Sequence, residues 1–387
     1  MSKRTKGNLI AIGVLIACSI AIFILAQFEN IAEWWATSFY RNFAYASLNI
    51  FGDLKWDFFE FFMLALSIST VILIGYAIYY FIHKKKDKGW DTITGMITML
   101  LSVAFITITI MVPLYNRKPL NIKEQETLLS DEEAVAIVHK YFDDFNALVD
   151  SIDNSNSETN HYIQKNPEGR VIYVGGDETL KTSVQDAYKM LDNNEYFARV
   201  YARVKKMKFS SVMSWFSIAG ISYLPSVEPG YNAQMVDYEK CLTMAHELAH
   251  TRGVMRENDA NETAYFVLLN SDNLYLKYVG YMATYSYMIQ VLKLTNQEVD
   301  YSIVPMAARL DKKDAKEFWD KNGVLSKAGE AINSLYLKLN SQSGTDSYIS
   351  HSTYEEETII DDQGNETIKY SVKSYSHVQN MIFALYI

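Results

Sequence analysis

The sequence predicts a membrane-anchored α+β protein: three N-terminal transmembrane helices, then a mostly helical domain with a small β-sheet and a C-terminal β-hairpin. Three observations carry that expectation. Long uncharged apolar runs are confined to the first third of the chain. Helical periodicity dominates from Asp237 to about Ser341, and two alternating segments near the C-terminus flank a polar turn.

The 387 residues are 49% hydrophobic, and 45 Asp+Glu outweigh 36 Lys+Arg, for a formal net charge of −9. That balance argues against a nucleic-acid partner, because no basic surplus is left to meet phosphates. Two cysteines rule out a disulfide scaffold or a multi-cysteine zinc cluster. The apolar content rules out low-complexity disorder.

The membrane anchor comes first. Leu9–Ala26, Phe61–Ile82 and Thr92–Asn116 run 18, 22 and 25 residues without a charge. About 17–25 apolar residues cross a hydrocarbon core, and a helix satisfies its own backbone there. The spans are placed at about 9–26, 59–82 and 92–115, within an anchor of residues 1–120. A cleaved signal peptide is the alternative for the first run, since Lys3, Arg4 and Lys6 precede it. No Ala-x-Ala-like site follows before Glu29, and two further spans hold the chain in the membrane anyway.

Positive charges give the orientation. Lys3, Arg4 and Lys6 precede the first span, and Lys84, Lys85, Lys86 and Lys88 fill the loop between the second and third. The loop between the first and second carries only Arg41 and Lys55. The positive-inside rule puts the N-terminus and the lysine loop in the cytoplasm, and residues 121–387 outside the cytoplasmic membrane. Trp34, Trp35, Phe39, Tyr40, Phe43 and Tyr45 in the first outer loop suit an amphipathic stretch lying on the bilayer, the first expected partner.

The remaining elements follow in order. Ser130-Asp-Glu-Glu133 is a capping box that opens a helix running to about Ile152. Ser151 to Gly176 is turn-rich, with a short strand at Val171–Val174, and Asp177–Asn194 reads as a second helix. The β-prone run Val212–Leu224 closes at Pro225 and the Pro229-Gly230 turn. Thr353–Ile360 and Glu366–Val372 alternate around Asp361–Asn365 as a hairpin, and a last helix covers Ser376–Leu385.

The chemistry is concentrated in one segment. His246-Glu247-Leu-Ala-His250 puts two imidazoles four residues apart, on one face of a helix, where both can bind one Zn²⁺. Glu247 sits beside that face, as a general base for a water activated by the metal. By chance H-E-x-x-H arises in roughly one such chain per hundred, so its context matters. Met244, Ala245, Leu248 and Ala249 make the helix apolar, and Gly253 can end it with a left-handed turn. Glu257, just past the turn, can swing back as third ligand and leave a fourth position open. Asp259 is the alternative, with Glu262 farther along. Asn261 lies four residues beyond Glu257, where its amide oxygen can accept the ring N–H of a ligand histidine. Two solvent-exposed histidines on an amphipathic helix are the bland alternative.

The pattern HELAHTRG followed by RENDAN resembles zincin metallopeptidases of the gluzincin type, whose third ligand is a glutamate in an E-x-x-A-[ND] helix. The whole chain resembles the uncharacterised bacterial membrane family called domain of unknown function 3810. That resemblance covers the three spans, Ser214–Pro225, His246–Asn261, Tyr336-Leu-Lys338 and Ser374–Val378. It implies a membrane-anchored zincin-like metallopeptidase domain over residues 121–387. Two features depart from the pattern: Asp259 stands where a glutamate is expected, and Thr353–Val372 is an addition. In zincins an edge strand ahead of the active-site helix binds substrate backbone. Ile218–Leu224 is placed for that role, and equally for an ordinary core strand. Tyr223, Tyr231, Tyr265, Tyr281 and Tyr285 are candidate hydrogen-bond donors to a transition state.

Two function classes follow. One is a zinc-dependent peptidase acting on peptides or proteins of the cell envelope. The other is a non-hydrolytic membrane assembly or binding protein with a structural zinc. Glu247, which a structural site does not need, favours the first. An intramembrane protease ranks behind both, because the motif lies well outside any apolar span.

Overall fold

A computed structural model describes residues 1–123, 127–152, 162–339, 352–360 and 366–387. The turn expected at Asp361–Asn365, together with His161 and His351, lies outside the described residues.

The first third builds a helical bundle. After α1 (Lys3–Ala26) come two short helices, α2 (Glu29–Trp34) and α3 (Arg41–Phe51), joined by a π-helical turn at Trp35–Tyr40. Then follow α4 (Phe58–Ile82) and α5 (Lys86–Tyr115). The helices α1, α4 and α5 are long and apolar enough to cross a membrane, which makes this a membrane protein. Helix α5 packs along both of the others, while Ile10, Val14, Val71, Ile78 and Ile106 face outward, as a lipid-facing surface requires. At the lysine-rich end, Asn8 Nδ2 donates to Thr94 Oγ1 at 3.0 Å. At the other end, Ile110, Leu114 and Tyr115 of α5 enter the core of the folded domain.

The domain begins with α6 (Asp131–Ser151), opened by the expected capping box of Ser130 and Glu133. The short strands β1 (Ile163–Lys165) and β2 (Val171–Tyr173) pair antiparallel. Helix α7 (Gly176–Ala187) gives way to a 3₁₀ turn at Tyr188–Leu191, so the second helix ends earlier than its sequence pattern predicts. A three-stranded sheet follows, built from β3 (Lys205–Lys206), β4 (Gly220–Tyr223) and β5 (Glu228–Tyr231), with the short α8 (Ser210–Trp215) between β3 and β4. Strand β5 is central, parallel to β3 and antiparallel to β4, with Gly220 opposite Tyr231 and Tyr223 opposite Glu228.

Helices α9 (Asp237–Thr251), α10 (Glu257–Leu269), α11 (Leu274–Leu294), α12 (Met306–Asn322) and α13 (Ser326–Leu339) complete the helical body. Helix α11 is apolar on every side and sits in the middle, packed by α6, α9, α10 and α14 (His377–Tyr386). Its Leu276, Val279, Met288 and Val291 are fully buried, each worth about 1.5–3 kcal/mol of transfer free energy. Tyr141 of α6 donates to Tyr281 O at 3.1 Å and lies 2.8 Å from Thr284 Oγ1, so its buried hydroxyl is satisfied. The hairpin strands β6 (Thr353–Ile360) and β7 (Glu366–Ser374) pair as expected. They lean on the end of α11, where Asn296 receives Tyr370 N at 2.7 Å and donates to Tyr370 O at 2.9 Å.

One expectation is corrected. The run Val212–Leu224 is not one strand: Ser210–Trp215 is helical and only Gly220–Tyr223 is extended. Ser210 Oγ donates to Met207 O at 2.7 Å and Ser214 Oγ to Ser210 O at 3.0 Å, so both hydroxyls are satisfied within the turn. The aromatic loop between the first two spans also builds part of the domain. Tyr40 and Ala44 are fully buried in the domain core, and only Trp34, Phe39 and Tyr45 of that group remain exposed.

Candidate metal centre

Helix α9 carries the motif, and its burial explains its composition. Cys241, Met244, Ala245, Leu248 and Ala249 are buried against the body of the domain, while β4 and β5 cover another side. Asp237 and Glu239 in the first turn complement the helix dipole. The other end closes with a Schellman turn: Gly253 N donates to His250 O at 2.9 Å and Val254 N to Ala249 O at 3.2 Å. Gly253 has φ +89°, a conformation natural to glycine. The reversed chain then opens α10 with Glu257 in its first turn.

This local geometry brings three expected residues together. His246 Nε2 and His250 Nε2 lie 3.0 Å apart. Glu257 Oε2 lies 3.1 Å from the first and 3.8 Å from the second. Asn261 Oδ1 sits 2.9 Å from His246 Nδ1, and Val254 O sits 2.7 Å from His250 Nδ1. Both Nδ1 atoms therefore act as donors, which turns both Nε2 atoms to the same point beside the Glu257 carboxylate. At that distance the two Nε2 atoms sit together only with a proton or a cation between them.

The electrostatics follow the pairing. Burial alone would depress the His246 imidazole, yet Glu257 outweighs it and lifts the ring to about 9. Burial would raise Glu257, but the two imidazoles hold it down at about 2. Glu247 lies next to that pair and feels both imidazoles, but burial dominates. Its carboxyl is pushed up by burial, and its Oε2 has no hydrogen-bond partner among the described residues.

Asp259 does not join the cluster. Its Oδ2 is held by Arg256, with Nε at 2.8 Å and the terminal nitrogen at 2.7 Å. Glu262 is buried outside the group as well. Among the described residues His246, His250 and Glu257 form the one cluster of three His, Cys, Asp or Glu side chains spaced to hold a metal ion. Cys241 is buried and Cys18 exposed, and neither is bridged.

Several neighbours were not marked by the sequence. Strand β4 passes so close to α9 that a Cβ on Gly220 would sit 2.6 Å from Thr243 Cγ2 and closer still to Glu247 Oε1. Ser222 Oγ donates to Glu247 O at 2.9 Å. At the helix end Tyr40 donates to Thr251 O at 2.7 Å and Arg117 to Gly253 O at 3.1 Å, while Arg117 pairs with Glu33 of α2. Val254 is the one such neighbour with a local signal, since the Gly253 turn fixes its carbonyl. Tyr40 and Arg117 reach the site from more than a hundred residues away, with no signal in sequence.

A family model described as "Protein of unknown function (DUF3810)" matches residues 35–352. No curated protein and no solved structure matches the chain.

Proposed function

The chain belongs to that family of unknown function, and we propose that it is a membrane-anchored zinc peptidase that hydrolyses peptide bonds outside the cytoplasmic membrane. The donor set supports a zinc ion. Two neutral imidazole nitrogens and one carboxylate are the ligands of a catalytic site that keeps an open position. The Nε2 separation of 3.0 Å would let both imidazoles share one ion with the Glu257 carboxylate. A bound zinc would supply Lewis acidity, polarising the peptide carbonyl and making a water acidic enough to lose its proton near neutral pH.

The protein's own groups do the rest. His246, His250 and Glu257 hold the ion, and Asn261 and Val254 O fix the orientation of the two rings. Glu247 takes the water's proton on Oε2 and returns it to the leaving amine. Strand β4 lies at the sheet edge beside Glu247, where an extended substrate can add as a further strand. The single observation that carries this reading is Glu247: a buried carboxylate oxygen without a hydrogen-bond partner, next to a cluster spaced to hold a metal ion. A zinc that merely staples α9 to α10 has no use for it. The orientation rests on the charge asymmetry, with the domain at the bundle end opposite Lys84–Lys88.

The test compares zinc-loaded protein with Glu247→Gln. Metal content should be equal, while cleavage of a randomised peptide pool falls by about 10²–10⁴. Identical cleavage profiles would leave the structural-zinc reading in its place.

A further inference from the structure

One four-residue strand joins the candidate site to the membrane helices. At one end of β4, Gly220 lies against Glu247. At the other, the Tyr223 ring packs on α4, with centroids 4.5 Å from Phe59 and 6.4 Å from Phe62. Its hydroxyl interacts with Thr107 of α5. Three steps of about 3.3 Å separate the two ends of β4, so Glu247 lies about 10 Å along the strand from the first turns of a membrane helix.

That height is fixed by polar bonds as well as rings. Glu60, in the first turn of α4, accepts from Lys208 N at 2.7 Å and Phe209 N at 2.8 Å. Phe58 N donates to Glu228 Oε1 of β5 at 3.0 Å, and Glu228 pairs with Lys205 of β3 with both side chains buried. All three strands are therefore clamped to one helix start. Beside the clamp, α8 turns Phe209, Val212 and Trp215 outward. Phe209 lies 6.4 Å from Phe61 on the exposed face of α4, so the apolar surface of the span continues onto the domain.

We propose that the site works at the bilayer surface, on the extended juxtamembrane stretch of polypeptides anchored in the same membrane; this rests on the peptidase reading above. The apolar face of α8 sits among the lipid headgroups and sets the depth. A substrate leaving the bilayer reaches Glu247 within about three to six extended residues, at about 3.3–3.6 Å each. A site for free peptides needs no such clamp, and burying the Lys205–Glu228 pair is costly unless the geometry serves something.

The experiment uses the full chain, zinc-loaded, in proteoliposomes. The probe is a pool of randomised peptides of about ten residues fused to one transmembrane helix, either directly or through a Gly/Ser spacer of about twenty residues. Both pools are tethered, so local concentration alone does not separate them. Cut sites should fall within the first residues outside the helix, and the direct fusion should be cut about tenfold faster than the spaced one. Equal rates, or cut sites scattered along the spacer pool, would overturn the proposal. Failure of wild type to cut any pool beyond the Glu247→Gln level would remove the peptidase reading and the substrate assignment with it. A second measurement decides the membrane seat alone: a nitroxide on Val212→Cys in a Cys18→Ala background, compared with one on Val71→Cys. Oxygen accessibility at headgroup depth supports the seat, and a fully aqueous value rejects it.

Discussion

Asn261 Oδ1 lies 2.9 Å from His246 Nδ1, and this contact turns the other ring nitrogen of His246 toward Glu257. An amide oxygen can only accept, so Nδ1 donates to it, and Nε2 is turned toward Glu257 Oε2, 3.1 Å away. The ring is then oriented before any ion arrives.

The metal ligands give the first prediction. His246→Ala and His250→Ala should lose most bound zinc, and Glu257→Ala should weaken it strongly. Asn261→Ala should cost about 10–100-fold in affinity, because it frees the ring without removing a ligand. Asp259→Ala should keep zinc, since its carboxylate is occupied by Arg256. Zinc titration of the purified variants decides; loss in Asp259→Ala with full occupancy in Glu257→Ala would reassign the third ligand.

A second prediction concerns the turn. Gly253 at φ +89° passes the chain from α9 to α10, and an alanine there costs about 1–2 kcal/mol of backbone strain. Gly253→Ala should lower the melting temperature and weaken zinc, because Val254 O and Glu257 both follow the turn. A variant with unchanged melting and unchanged zinc affinity would show that the turn does not govern the cluster.

Asp311 supplies a pH dependence. Burial pushes its carboxyl from 3.8 to about 7 in the fold, although Tyr278 donates to it at 2.5 Å. The folded protein thus holds a proton that the unfolded chain releases. That contribution is complete below about 4 and is lost as the pH rises toward about 7. Asp311→Asn keeps an acceptor for Tyr278 without the charge. It should therefore gain on wild type as the pH rises, by about 2–4 °C per kcal/mol, with the largest margin at pH values above 7. Thermal melts in detergent across that range would refute this if the margin were constant or shrank.

The hairpin should be dispensable for the metal. Strands β6 and β7 touch the body through Asn296 and Tyr370 and contribute nothing to the cluster. Replacing Thr353–Val372 with a short Gly/Ser linker should leave zinc content unchanged and alter only the handling of large substrates. Zinc loss in that variant would make the ribbon part of the catalytic core.

Orientation is open to direct attack. Protease added to intact spheroplasts should cut the domain beyond Asn116 and spare the Lys84–Lys88 loop. The opposite pattern would invert the protein in its membrane.

The His246–His250–Glu257 cluster is legible in sequence because local geometry builds it. One helix spaces His246 and His250, one glycine turn reverses the chain, and the next helix delivers Glu257 and Asn261. The three spans are legible for the same reason, since length and apolarity decide them residue by residue. What surrounds the cluster is another matter. Nothing near Tyr40 in the chain announces that its hydroxyl meets Thr251 O. Gly220 reads as a generic strand residue until Glu247 is found against it. Val212 and Trp215 have the side chains of a strand, yet their segment is helical.

The hydrogen bond from Tyr40 to Thr251 has a further consequence, for the order in which the protein is made. Tyr40 leaves the ribosome long before Thr251, and it lies between the first two spans. The last turn of α9 therefore closes onto a side chain that membrane insertion has already set in place. Arg117, at the foot of the third span, does the same for Gly253. A chain that has not yet entered the bilayer has neither residue in position, so Thr251 O and Gly253 O at the end of its histidine helix lack these two donors. On the proposed reading, loading of the His246–His250–Glu257 cluster is thereby tied to insertion, and a copy stranded in the cytoplasm lacks two of the bonds that hold the cluster's helix end.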